Sequence, residues 1–221
     1  MSDRPRIVLA SQSPRRRALL EHLGLPHEVI APDVDEESLC VKDPRALATQ
    51  LAFLKATEVA ERLEPPAIVI GADTVVALGG EVFGKPKDAV DAERMLRALR
   101  GETHSVITGL AVATVGEGCE LCSETTQVTM RRFSDAELRG YVRSGEPMDK
   151  AGAYAIQGLG AALIEGHTGC WCNVVGLPLI ALLGLLSGAV DVAAHPISCT
   201  CVPWPHHREG ALPWETLNGD S

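Results

Sequence analysis

Three consecutive arginines, Arg15 to Arg17, stand in the stretch "LASQSPRRRALL" (residues 9 to 20), directly after a serine and a proline. Ser13 is a good N-cap and Pro14 a good first helical residue, so a helix starts here. Its free N–H groups and its dipole already make that end positive, and each cation added near it costs about 0.3–1 kcal/mol. A bound anion offsets that repulsion. The hydroxyls around Ser11, the helix N–H groups and the guanidinium forks of Arg15 and Arg16 together make a phosphate cradle. A solvated basic patch is the competing reading, and on local chemistry the two stand level.

Other residues with chemical capacity are scattered along the chain. In "IGADTVV", Asp73 and Thr74 lie just past an apolar run, where the ligands of open α/β sheets gather. Asp73 could hold a divalent metal or take a proton from water, although a turn aspartate alone is the commoner finding. Lys85 in "GKPK" follows a glycine and is fixed by Pro86. In "MDKAGAYAIQG", Asp149 and Lys150 precede a small-residue stretch leading to Gln157. Lys55 falls on a helix, where lysines are usually solvated, and the run Asp33, Asp35, Glu36, Glu37 reads first as an exposed loop. Taken together, separated cations, isolated carboxylates and helix-terminal donors suit a polyphosphate bound with magnesium, which prefers one or two carboxylates plus phosphate oxygens.

The elements that must carry these residues alternate. "RIVLA" (6 to 10) and "HEVIA" (27 to 31) read as strands around a helix from Pro14 to Leu23. A longer helix runs from Pro44 to Leu63, capped by Asp43, with Leu47, Leu51, Leu54, Val59 and Leu63 as its buried stripe. "AIVIGA" (67 to 72) is a central strand and "VVALGGEVFG" a Gly-turned hairpin. A helix from Ala89 to Leu99 follows, then two long paired strands, "HSVITGLAVATV" and "CSETTQVTMRRF". Ser134 and Glu137 form a capping box for the next helix, which Gly145 ends, and "GLPLIALLGLLSG" is the last helix. Strands alternating with helices indicate an α/β architecture with an antiparallel middle.

The 221 residues fit one domain, residues 1 to 188, with a Pro-rich, aperiodic tail from 189 to 221 that reads as poorly ordered. A net charge of −9 opposes nucleic-acid binding and anionic lipid surfaces. The most apolar run, "LPLIALLGLL", is far short of the ~20 residues that span a bilayer, and no secretory signal is visible, so a soluble cytoplasmic protein is expected. Seven cysteines, an odd number, read as reduced thiols. Only Cys119 and Cys122, in what reads as a hairpin turn, have the spacing of a structural zinc pair; Cys199 and Cys201, near His195, His206 and His207, do not.

Eight stretches in order resemble the Maf-type nucleoside triphosphate pyrophosphatases: "LASQSPRR", "DVDEE", "LAFLKA", "GADTVV", "GKP", "HSVITG", "SGEPMDKAGAYAIQG" and "NVVGLPL", in register across residues 6 to 187. The resemblance implies a mixed twisted sheet with flanking helices and a central cleft, as in Maf and inosine-triphosphatase-like proteins. It implies cleavage of nucleoside triphosphates between the α and β phosphates, a divalent cation (Mg2+ or Mn2+), a cytoplasmic location and a homodimer. By position it makes Asp73 the proton acceptor. Ser11, Arg15, Arg16, Lys55, Lys85 and Lys150 become phosphate contacts, with Glu36 assisting metal or water alongside Asp73. Arg15, Thr74 and Gln157 become the base-selecting positions.

"MDKAGAYAIQG" resembles the branch acting on dTTP, UTP and modified pyrimidine triphosphates rather than the one preferring 7-methyl-GTP. The alternatives are that second branch and a non-catalytic nucleotide-binding regulator of cell division. One departure is "GHTGCWCNVVGLPL", where Cys170, Trp171 and Cys172 replace the acidic, tyrosine-like or hydroxyl residues usual in relatives.

Overall fold

Seven strands pair into one mixed sheet in the order β2-β1-β3-β5-β6-β7, with β4 paired to β3. The structure is a computed structural model that describes residues 5–36 and 39–189. Strand β1 (Arg6–Ala10) lies parallel to both β2 (Glu28–Ile30) and β3 (Ala67–Leu78). From β3 onward the pairing is antiparallel, through β4 (Glu81–Phe83), β5 (Thr103–Thr114), β6 (Gly118–Met130) and β7 (Ile164–Thr168). The α/β reading with an antiparallel middle therefore holds.

Strand β3 departs from expectation in a way that matters. The apolar run predicts an end at Ala72, but the strand continues to Leu78 because β5 pairs with it from Ile68 to Ala77. On its other edge β1 covers only Ala67 to Gly71, and β4 only Val76 to Leu78. Residues 72–75 thus have a strand on one side alone. Asp73 does not follow the strand; it lies within it, at the point where the parallel neighbour stops.

Among the described residues one helix covers one face of the sheet. This is α2 (Pro44–Ala60), capped by Asp43 with Pro44 at its first position, as its sequence predicts. Its buried stripe is Ala48, Leu51, Ala52, Lys55, Ala56 and Val59: Leu51 and Val59 are buried as expected, Leu47 and Leu54 only partly, and Leu63 lies past the helix end. The reason is proximity. A Cβ on Gly71 would come 2.2 Å from the Ala52 carbonyl, and one on Gly109 2.3 Å from that of Ala48. Only alanines above glycines allow this approach, so the bulkier Leu47 and Leu54 turn aside.

The opposite face packs α1 (Pro14–His22), α5 (Trp171–Val175) and α6 (Leu179–Leu186) against Leu9, Ile68, Ile70 and Leu110. Further along the same face, α3 (Ala89–Leu99) and α4 (Asp135–Arg143) surround Val76, Phe83, Val106 and Val128. Met95, Leu96 and Leu99 point inward, and both halves of the Ser134–Glu137 capping box are formed.

Cys119 and Cys122 lie on β6 beyond the turn, not in it. Three residues apart on a strand, they face opposite sides: Cys119 packs with the α2 layer and Cys122 with the α1 layer, so they share no metal. The expected tail, with Cys199, Cys201 and the histidines near them, lies from residue 190 outside the described residues. Among the described residues no helix is long and apolar enough to cross a membrane.

Candidate active site

The close seating of α2 brings a lysine to Asp73. Residues 69, 71, 73 and 75 of β3 face α2 because side chains alternate along a strand. The Lys55 ammonium donates to Asp73 Oδ1 at 2.6 Å and lies 2.7 Å from Glu36 Oε1. Lys55 is 7% exposed and Asp73 8%, so the expectation of a solvated helical lysine fails here. Two of the three ammonium donors are used on carboxylates and one is left over. Asp73 Oδ2 carries no protein hydrogen bond among the described residues. Burial pushes the Glu36 carboxyl up, but the Lys55 hydrogen bond and the charges of Lys55, Lys85 and Arg16 more than offset this and hold it below its ordinary value.

Thr74, next along the strand, points to the other face and meets α1. Arg16 donates through Nη2 to Thr74 Oγ1 at 3.1 Å and through Nε to the Gly176 carbonyl at 2.8 Å. Thr74 Oγ1 is 2.9 Å from Thr108 Oγ1, which donates to the Asn173 carbonyl. The Asn173 side chain accepts from the Thr108 N–H and donates to the Val106 carbonyl and Thr126 Oγ1. This buried polar ladder fixes Nε and Nη2 of Arg16, while Nη1 makes no hydrogen bond among the described residues. Burial lowers the Arg16 pKa, Asp73 and Glu36 oppose that, and Arg15 adds to it.

The turn before α1 enters through the gap beside β3. Ser11 is buried and its Oγ accepts the Ser13 N–H at 3.1 Å, while Ser13 caps Arg16 N at 3.4 Å. Arg15 reaches Asp149 Oδ2 at 3.4 Å. Asp149 Oδ1 also accepts from Lys150 Nζ at 2.5 Å, and Lys150 donates to the Glu146 carbonyl at 2.6 Å. The opposite rim of the gap is the β4 end. There the Gly84 carbonyl accepts the Gly152 N–H at 3.0 Å, tying the Lys150 segment to the loop that carries Lys85.

The predicted residues thus fall into two joined groups. Asp73, Lys55 and Glu36 are in contact, with Lys85 and Arg16 coupled to them by charge; Arg15 and Lys150 meet across Asp149. Adjacent arginines at one helix start link the groups. Thr74 belongs to the site only through Arg16. Gln157 stands at the start of a 3-10 turn (Gly158–Leu163), half-buried and without a side-chain hydrogen bond among the described residues, so no contact joins it to the rest.

Asn173 and Glu146 were legible as motif letters but carry no charge pattern that marks them, and only the three-dimensional ladder shows what they hold. Among the described residues no group of three or more His, Cys, Asp or Glu forms a metal cage. Asp73 and Glu36 straddling one ammonium do fit magnesium or manganese, which accepts one or two carboxylates and completes its shell with phosphate oxygens and water.

Residues 6–189 match the family model described as Maf, Maf-like protein. The chain is 50% identical over 188 residues to a dTTP/UTP pyrophosphatase from Anaeromyxobacter dehalogenans (strain 2CP-C), which covers 84% of this chain and 94% of that protein. It is 48% identical over 183 residues to a dTTP/UTP pyrophosphatase from Dictyoglomus thermophilum, covering 82% and 94%. A third, from Pelotomaculum thermopropionicum, is 49% identical over 181 residues, covering 81% and 94%. Among solved structures, a nucleoside-triphosphatase / dITP/XTP pyrophosphatase from Mycobacterium abscessus aligns at 14% identity over 86% of this chain and 96% of that one; its TM-score of 0.39 is too low to bear on the fold. With matching motifs, their order and a whole-domain family match in agreement, this chain belongs to the Maf family.

Proposed function

We propose that this protein hydrolyses dTTP and UTP, with modified pyrimidine triphosphates, to the monophosphate and pyrophosphate. The observation that carries the reading is Asp73, seated in the β3 gap with one oxygen held by Lys55 and the other without a protein donor among the described residues. The names of relatives at about half identity over most of the chain support the substrate class.

Water attacks the α-phosphorus in line. The new bond is P–O to that water, the broken one joins the α-phosphorus to the α–β bridging oxygen, and pyrophosphate leaves. Asp73 Oδ2 orients the water and accepts its proton. The unused donor of Lys55, the outer nitrogen of Arg16 and Lys85 face one end of the developing charge, and Arg15 and Lys150 the other. Such positioning and electrostatic stabilisation supply most of the barrier reduction in phosphoryl chemistry. Asp73 and Glu36 would hold a magnesium or manganese ion, which supplies charge neutralisation when bound. Ser11 braces the turn that presents Arg15 and Arg16, and Thr74 orients Arg16. Gln157 offers an amide donor and acceptor to a base edge. Homodimerisation and a cytoplasmic location belong to the same reading, as does the lack of a nucleic-acid partner, which the charge of −9 supports.

A pyrophosphate-release assay over a panel of triphosphates, with and without magnesium or manganese, tests it. dTTP and UTP should be the best substrates, with release abolished by chelation and restored by the metal. Binding without release would establish the regulator reading instead, and a preference for 7-methyl-GTP would move the chain to the other branch.

A further inference from the structure

The segment that carries both Lys150 and Gln157 has no ladder of its own. It runs through three 3-10 turns, Glu146–Asp149, Ala151–Ala153 and Gly158–Leu163. Left-handed residues lie before and within them: Gly145 (φ 76°), Gly152 (φ 68°), Ala153 (φ 59°) and Gly158 (φ 65°). A chain so irregular keeps one shape only where hydrogen bonds outside a ladder tie it; the Gly152 N–H to the Gly84 carbonyl is one such tie, and side chains supply the rest. Glu146 makes the side-chain tie at both ends. Its Oε2 accepts the Leu159 N–H at 3.0 Å and its Oε1 the Gly160 N–H at 3.0 Å, so the carboxylate holds the backbone two residues beyond Gln157. Its own carbonyl accepts the Lys150 ammonium at 2.6 Å. Tyr141, fully buried on α4, donates its hydroxyl to Oε1 at 3.1 Å and anchors the carboxylate to the core. The approach is tight: a Cβ on Gly158 would fall 2.8 Å from Glu146 Oε2.

We propose that Glu146 is a positioning residue for the triphosphate reaction, folding the Gln157 arm back onto the turn that holds Lys150 and so setting where the base lies relative to the phosphates. This rests on the pyrophosphatase reading above. Glu146 touches no reacting atom. It acts by fixing the distance between the residue that meets the base and the cation that meets the phosphate. Its carboxylate is suited to the task because two oxygens accept two neighbouring N–H groups at once, as an amide cannot.

The test compares Glu146→Ala, Glu146→Gln and Tyr141→Phe with the wild type, using UTP and CTP. Loss of hydrogen bonds to a charged group should raise KM for UTP about tenfold in Glu146→Ala. The preference for UTP over CTP should shrink while kcat changes less than threefold. Glu146→Gln keeps the shape and one acceptor, so its KM should rise less, and its Leu159 and Gly160 amides should exchange with deuterium faster than in the wild type. Tyr141→Phe removes a contact of the same carboxylate but neither N–H bond, so it should lower the melting temperature and leave KM and base choice alone. The proposal is overturned if both Glu146 variants keep the wild-type KM and UTP/CTP ratio, or if Tyr141→Phe reproduces their kinetic change. A wild type that releases no pyrophosphate from any triphosphate defeats the underlying reading, and the exchange rates at residues 159 and 160 still report whether Glu146 holds the arm.

Discussion

The Lys55 ammonium lies 2.6 Å from the Asp73 carboxylate, with both groups buried where α2 crosses the β3 gap. Removing the cation leaves Asp73 buried and uncompensated beside Glu36. Breaking a buried pair by one partner typically costs 3–5 kcal/mol, so Lys55→Met should lower unfolding stability by about 3 kcal/mol and abolish turnover. Chemical denaturation at neutral pH measures the first effect.

Asp73→Asn behaves differently. Lys55 keeps its contact with Glu36, and the amide oxygen can still accept, so the melting temperature should stay within a few degrees of the wild type. Turnover should nevertheless fall almost to nothing, because an amide takes no proton from water. Retention of more than about a tenth of kcat would place the base elsewhere.

Specificity has its own variant. Gln157 lacks a hydrogen-bonding side-chain partner in the described structure, which leaves both ends of its amide for a ligand. Gln157→Ala should raise KM or relax base choice more than it slows kcat. Steady-state kinetics with UTP and CTP decide the matter, and unchanged discrimination would remove Gln157 from base recognition.

Two glycines hold the catalytic geometry from outside the site. Gly71→Ala and Gly109→Ala each drive a methyl into a backbone carbonyl of α2, at 2.2 Å and 2.3 Å. Backbone cannot rotate aside as a side chain can, so the cost should reach about 3 kcal/mol, the upper end for overpacking. The helix must lift, and Lys55 lifts with it. Any folded variant should therefore lose activity out of proportion to its stability, as paired melting and turnover measurements would show.

Caps and periodicity made most elements readable: Ser13, Asp43 and Ser134 mark helix starts that the structure keeps. Strand β3 was misjudged because its end depends on its partners. An apolar run tells where burial stops, whereas β5 carries the ladder five residues further, to Ala77. The α2 stripe was legible at Leu51 and Val59 but not at its alanines, which acquire their role only once glycines stand opposite. Motif order named the charged residues of the site. It could not show that Asp73 and Thr74 face opposite ways, that Asp149 bridges Arg15 and Lys150, or that Glu146 closes the Gln157 arm, because each of these depends on backbone turns that no periodicity announces.

His104 gives the fold a pH dependence separable from that of its surface carboxylates. It is 1% exposed, with Nε2 2.6 Å from the Tyr154 hydroxyl and Nδ1 without a partner among the described residues. Burial pulls its pKa down from 6.5 to about 4. The folded protein therefore keeps this ring neutral between those values while the unfolded chain takes up a proton. Stability falls as pH drops through that window, by about 3 kcal/mol in full, and is unaffected by this group above it. Glu137, pulled to about 2 chiefly by the Ser134 N–H and also by Arg131, loses its contribution only below its ordinary value of 4.5. Denaturation at pH 7 and pH 4.5 should show a drop in the wild type that shrinks by a comparable amount in His104→Gln, which can still bond Tyr154 but cannot titrate. An equal drop in both proteins would assign the acid sensitivity to the carboxylates instead.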